Sequence, residues 1–151
     1  MRMLFSLCLP RDEYSVPVVR HLTRNALLAL GVTDDCVADI EVAVTEASTN
    51  VFKHASAQGQ YEVRVDIDEY ICEIRVMDAG TGFDEEALAG STALEPDAEQ
   101  GRGLHLIRSV VDKLKLESAP ESGTIVYIIK RLTTTEDSVL RRLAGSAAAV
   151  D

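Results

Sequence analysis

Cysteine, basic charge and long apolar runs are all in short supply in this 151-residue chain. Its three cysteines, Cys8, Cys36 and Cys72, are odd in number, widely scattered and never arranged as C-x-x-C, which excludes a disulfide framework and a structural zinc site. They read as buried thiols in a reducing compartment. Lysine and arginine number 15 against 25 aspartates and glutamates, a formal charge of −10 with histidines neutral. Phosphate backbones and anionic membranes are gripped by clustered cations, so direct nucleic-acid binding and membrane-surface binding are excluded as the protein's business. No stretch approaches the roughly 20 apolar residues that span a bilayer. The opening Met1-Arg2-Met3-Leu4-Phe5-Ser6-Leu7-Cys8-Leu9 is too short an apolar run for a signal peptide, meets Pro10-Arg11-Asp12 at once and shows no small-x-small cleavage site. A soluble cytoplasmic protein with protein or small-molecule partners is expected.

Enough apolar material is nevertheless present. At 46% hydrophobic and 26% charged residues, the chain can bury a core as one domain. Period-two alternation of Met3, Phe5, Leu7 and Leu9 predicts a strand over 3–9. A helix is expected over 16–30, with Pro17 in its first turn and Gly31 as a left-handed stop. A second helix, capped by Thr33 or Asp34, should run to about residue 57 on the spacing of Val37, Ile40, Val44, Ala47 and Val51. Two alternating runs, 61–67 and 71–77, predict an antiparallel hairpin. Residues 78–103 are glycine-rich, acidic and weakly patterned, the mark of a functional or mobile segment. A helix over 103–114 and strands over 115–119 and 124–132 complete the domain at residue 132. The tail, 133–151, is left outside it, with a short helix expected around 139–143 and a frayed end.

Four short motifs carry chemistry. On the second helix, Glu46-x-x-x-Asn50-x-x-x-His54 places three polar side chains on one face. There Asn50 could offer a neutral oxygen to Mg2+, and Glu46 could accept a proton from an attacking hydroxyl or orient it, although a solvated stripe would look the same. Asp78-Ala79-Gly80-Thr81-Gly82 follows the strand ending at Met77. An aspartate there can accept a hydrogen bond from an exocyclic amine while Gly80 and Gly82 let the backbone approach a flat ring; a plain glycine turn is the alternative. Gly101-Arg102-Gly103-Leu104 stands at the mouth of a helix, where exposed amides suit an anion. Gly123-Thr124 opens the last strand, with the Thr124 hydroxyl able to support Asp78.

In this order, E-x-x-x-N, D-x-G-x-G, G-x-G and G-T resemble the ATP site of the GHKL superfamily, which includes gyrase, histidine kinases and MutL. Within it the chain is most similar to the small bacterial anti-sigma factors that are also serine-protein kinases, the partner-switching proteins of sporulation and stress response. The likeness covers about residues 3–132 and rests on the phrases Glu46-Ala47-Ser48-Thr49-Asn50-Val51-Phe52-Lys53-His54-Ala55, Gly101-Arg102-Gly103-Leu104-His105-Leu106-Ile107 and Ser122-Gly123-Thr124-Ile125-Val126-Tyr127. It implies an α+β fold of the Bergerat type, a two-layer sandwich in which helices cover one face of a mixed, mostly antiparallel sheet. It implies ATP and Mg2+ as cofactors, Glu46 as catalytic base, Asn50 as magnesium ligand, and Asp78 with Thr124 as adenine contacts. Gly80 and Gly82 would floor the base; Gly101, Arg102, Gly103 and Leu104 would form the phosphate cradle. The implied activity is ATP-dependent sequestration of a sigma factor by a homodimer, with phosphorylation of an anti-sigma-factor antagonist on serine. An ATP-binding module that sequesters a partner without appreciable transfer is the alternative. The segment 82–101 is acidic, so charge for the γ-phosphate would come from Arg102, His105, Lys53 or a partner.

Overall fold

Alternation along each strand decides which face of the sheet is covered. In the computed structural model, which describes residues 1–54, 59–78, 99–119 and 123–143, five strands form one sheet. They are β1 (Met3–Pro10), β2 (Gln60–Ile67), β3 (Ile71–Asp78), β4 (Lys113–Ala119) and β5 (Gly123–Arg131), in the order β1-β2-β3-β5-β4. All four ladders are antiparallel. Tyr61, Val63, Val65 and Ile67 of β2 point inward, opposite Asp78, Val76, Ile74 and Cys72 of β3, and all eight are buried. Met3, Phe5, Leu7 and Leu9 of β1 pack on the same core, as the alternation predicts.

Three helices cover that inner face: α1 (Ser15–Ala29), α2 (Asp34–His54) and α3 (Glu99–Val110). α2 lies centrally and packs against both α1 and α3. Val19 and Leu27 of α1, Ile40, Val44 and Ala47 of α2, and Leu104 and Ile107 of α3 join the strand residues in one core. Each fully buried aliphatic side chain contributes about 1.5–3 kcal/mol by leaving water. Gly31, at φ +85, makes the left-handed stop expected after α1. Among the described residues no helix is long and apolar enough to cross a membrane.

α3 departs from the expected span. It begins at Glu99 and ends at Val110, four residues earlier at each end than the pattern suggested. A three- or four-residue step places Leu114 in the helix. It instead belongs to β4, where Leu114 and Leu116 alternate with Lys113, Lys115 and Glu117 and register with Ile128 and Val126 of β5. Two alternations of Leu and Lys are too short for spacing alone to separate strand from helix, and pairing with β5 decides the matter. The chain after β5 folds back on the α1–α2 junction: Val32 bridges Thr134, the Thr33 amide donates to the Thr133 carbonyl (2.9 Å), and Leu140 is buried. Residues 55–58, 79–98, 120–122 and 144–151 lie outside the described residues, and with them the expected end of the second helix, the acidic loop and the end of the tail.

Candidate functional site

Glu46 and Asn50 stand one turn apart on α2, both half-buried, and both face Gly103 of α3. A β-carbon placed on Gly103 would lie 3.2 Å from Glu46 Oε2 and 3.3 Å from each of Asn50 Oδ1 and Nδ2. A methyl there would crowd both polar groups, so the missing side chain lets α3 close on the two groups the helix spacing had aligned. Gly103 therefore sits differently from the expectation that the G-x-G opens the helix. Gly101 lies in the first turn of α3, where amides have no partner within the helix; Gly103 lies past it, where amides are consumed by the helical ladder. Of the two glycines, Gly101 therefore lies among the amides without a helical partner, and Gly103 is the spacer.

A second set gathers at the end of β3. Asp78 is the last residue of the strand, in register with Tyr61 of β2 on one side and Thr124 of β5 on the other. Asp78 and Thr124 are each 3% exposed. The pairing that Asp78 and Thr124 were expected to make is thus a cross-strand one, produced by β5 lying next to β3 rather than by proximity in sequence. The Asp78 carboxylate also forms an ion pair with Arg11, whose side chain is 3% exposed. Burial pushes the Arg11 guanidinium down from its ordinary value. The residue reaches this place because β1 ends at Pro10 and the Arg11 amide donates to the Gly59 carbonyl (3.3 Å), beside the start of β2. In the sequence Arg11 stands only in the Pro10-Arg11-Asp12 stretch that follows the first strand, and nothing in its spacing ties it to Asp78. Nearby, the Ser15 hydroxyl donates to the Asp12 carbonyl (2.6 Å) and lies 2.5 Å from the Tyr61 hydroxyl. With its single proton given to Asp12, Ser15 accepts from Tyr61.

Other expected residues fall elsewhere. Leu104 is buried in the core, so its side chain serves packing and only its backbone is available to a ligand. His105 is exposed on α3. Gly80 and Gly82 lie outside the described residues, and Arg102 and Lys53 are described in backbone only. Among the described residues no group of three or more His, Cys, Asp or Glu could hold a metal by itself. A hollow of about 230 Å³ on the other side of the sheet, lined by Lys113, Lys115, Glu117, Tyr127 and Ile129, contains none of these groups. The two sets stand on elements that pack directly together, α2 against α3 and α2 against β3 and β5.

The model of the histidine kinase-like ATPase domain matches residues 9–130, a span holding both sets. The chain belongs to the histidine kinase-like ATPase family. It is 33% identical over 150 residues to the serine-protein kinase RsbW of Halalkalibacterium halodurans, covering 94% of this chain and 90% of that protein. It is 26% identical over 142 residues to the anti-sigma F factor of Bacillus subtilis, covering 90% and 94% respectively. A crystal structure of the RsbU and RsbW domains of a Mycobacterium tuberculosis protein superposes with a TM-score of 0.67 at 17% identity. That match covers 91% of this chain and 34% of the longer one, and it supports the fold. As a member of this ATPase family the chain is an ATP-using protein, which agrees with the order of its four motifs.

Proposed function

We propose that the protein is an ATP-dependent anti-sigma factor and serine-protein kinase, which sequesters a sigma factor and phosphorylates an anti-sigma-factor antagonist on serine. The observation that carries this reading is the approach of Gly103 to Glu46 and Asn50. A carboxylate and an amide on α2 are held together against α3, and phosphoryl transfer asks a protein mainly for such positioning and for charge neutralisation. Relatives named as RsbW kinase and anti-sigma F factor support the same assignment.

Each residue then has a task. Asp78 accepts from the exocyclic amine of adenine and Thr124 supports it from the neighbouring strand; Gly80 and Gly82, outside the described residues, are assigned to the floor under the base by the resemblance alone. Gly101 and Arg102 face the phosphates. The Asn50 amide supplies one neutral oxygen, a donor set that fits Mg2+ because that ion takes its remaining ligands from phosphate and water. When bound, Mg2+ would neutralise charge on the phosphates. Glu46 takes the proton of the incoming serine hydroxyl as its oxygen bonds to the γ-phosphorus and the bond to ADP breaks; phosphoserine and ADP leave. A binding module without transfer would have no use for Glu46 in this position. The working unit is a homodimer in the cytoplasm.

The test is Glu46→Ala. A partner recovered from native cytoplasm in the presence of ATP serves as substrate. The variant should keep ATP affinity within about threefold and lose transfer by roughly 10²–10⁴-fold. Transfer equal to the parent's would remove Glu46 from its role. An absence of both calorimetric heat and a rise in Tm with saturating ATP and Mg2+ would defeat the reading altogether.

A further inference from the structure

We propose that Arg11 sets the base preference of the nucleotide site: by pairing with Asp78 it keeps that carboxylate an acceptor-only group, suited to a 6-amino purine and unsuited to a 6-oxo purine. The inference rests on the reading of Asp78 as the adenine contact. A carboxyl group as enclosed as Asp78 would, without a cation, be driven toward its protonated form, because burial disfavours the charge. Protonated, it gains an O–H and can donate to a 6-oxo group as readily as its other oxygen accepts from an amine. The two residues in register with it, Tyr61 and Thr124, are neutral at pH 7, and positive charge is brought against it by Arg11 from the turn after β1. Arginine suits the task because its proton is not lost in the physiological range, even where burial lowers its pKa. The guanidinium engages Asp78 through Oδ1. Specificity of this kind comes from a proton that is missing at the reading atom, and a residue 67 positions away in sequence decides that it is missing.

The experiment is calorimetric titration of the full chain with Mg·ATP and with Mg·ITP, which carries a 6-oxo group in place of the amine. The parent should prefer ATP. Arg11→Met should weaken ATP by roughly tenfold or more while ITP changes by less than about threefold, so the preference shrinks by about an order of magnitude. Arg11→Lys, which keeps the charge, should retain most of the preference. Equal loss on both nucleotides, with their ratio unchanged, would make Arg11 a purely structural residue and overturn the inference; tighter ATP binding by Arg11→Met would make it a competitor for the carboxylate and do the same. A parent that binds ATP without preferring it would refute Asp78 as the base contact, a different failure from either of those. Should Arg11→Met not fold, 13C NMR of aspartate carboxyls in the parent, assigned with Asp78→Asn, decides the point. Asp78 should remain ionised from about pH 8 to about pH 5, and protonation within that window would overturn the inference.

Discussion

Gly103 of α3 and Glu46 of α2 stand so close that a single methyl group on the glycine would lie 3.2 Å from the Glu46 carboxylate. Two opposed effects meet at this position. Glycine in a helix interior costs about 1 kcal/mol relative to alanine, so propensity argues against it. The approach of α3 to the polar pair on α2 argues for it.

Gly103→Ala should therefore separate stability from activity. Glu46 and Asn50 are side chains that can give by a few tenths of an ångström, so Tm should hold or rise, by up to the equivalent of about 1 kcal/mol. ATP affinity and phosphotransfer should both fall, because the displaced groups are the ones proposed to act at the phosphates. A variant with parental transfer would show that the close approach has no functional use.

Gly31→Ala tests the other glycine whose position is tightly constrained. Its φ of +85 is unfavourable for any residue with a β-carbon, and that carbon would sit 2.5 Å from Ser138 Cβ. The left-handed conformation alone costs about 1–3 kcal/mol, and the contact with the returning C-terminal segment adds to it. Urea unfolding should show the loss, with ATP affinity of the folded protein unchanged.

Asp78→Asn should act twice. Loss of a correctly polarised acceptor should weaken ATP binding by about 1–3 kcal/mol. It also leaves the Arg11 guanidinium buried without its anion, and breaking a buried pair from one side costs about 3–5 kcal/mol of stability. Chemical denaturation and calorimetry read the two separately. Unchanged affinity in the folded variant would take Asp78 out of the nucleotide site.

Tyr61 gives a prediction in pH. Burial pushes its phenol above the ordinary value. The folded state holds the phenol proton more tightly than the unfolded state does. The corresponding stability is complete below about pH 10 and is lost as pH rises through the folded value. Stability curves of the parent should fall more steeply above about pH 10 than those of Tyr61→Phe. Burial also raises the Cys72 thiol, and that contribution cancels in the comparison. At neutral pH the substitution should cost about 0.5–1.5 kcal/mol for the lost hydroxyl.

What the linear sequence determined was everything carried by a short period. Alternation defined β2 and β3, and four-residue steps put Glu46 and Asn50 on one helix face. A strand end placed Asp78 at a rim, and the order of four motifs resembled an ATP site. Tertiary structure decided what met what. β5 inserted beside β3 brought Thr124 into register with Asp78, β4 took Leu114 from the helix, and the turn after β1 delivered Arg11 to a carboxylate two strands away. The division has one cause. A repeat of two or of about 3.6 residues is visible within a few positions, whereas a partner across the sheet depends on strand order and register, which only the packing of the whole core selects.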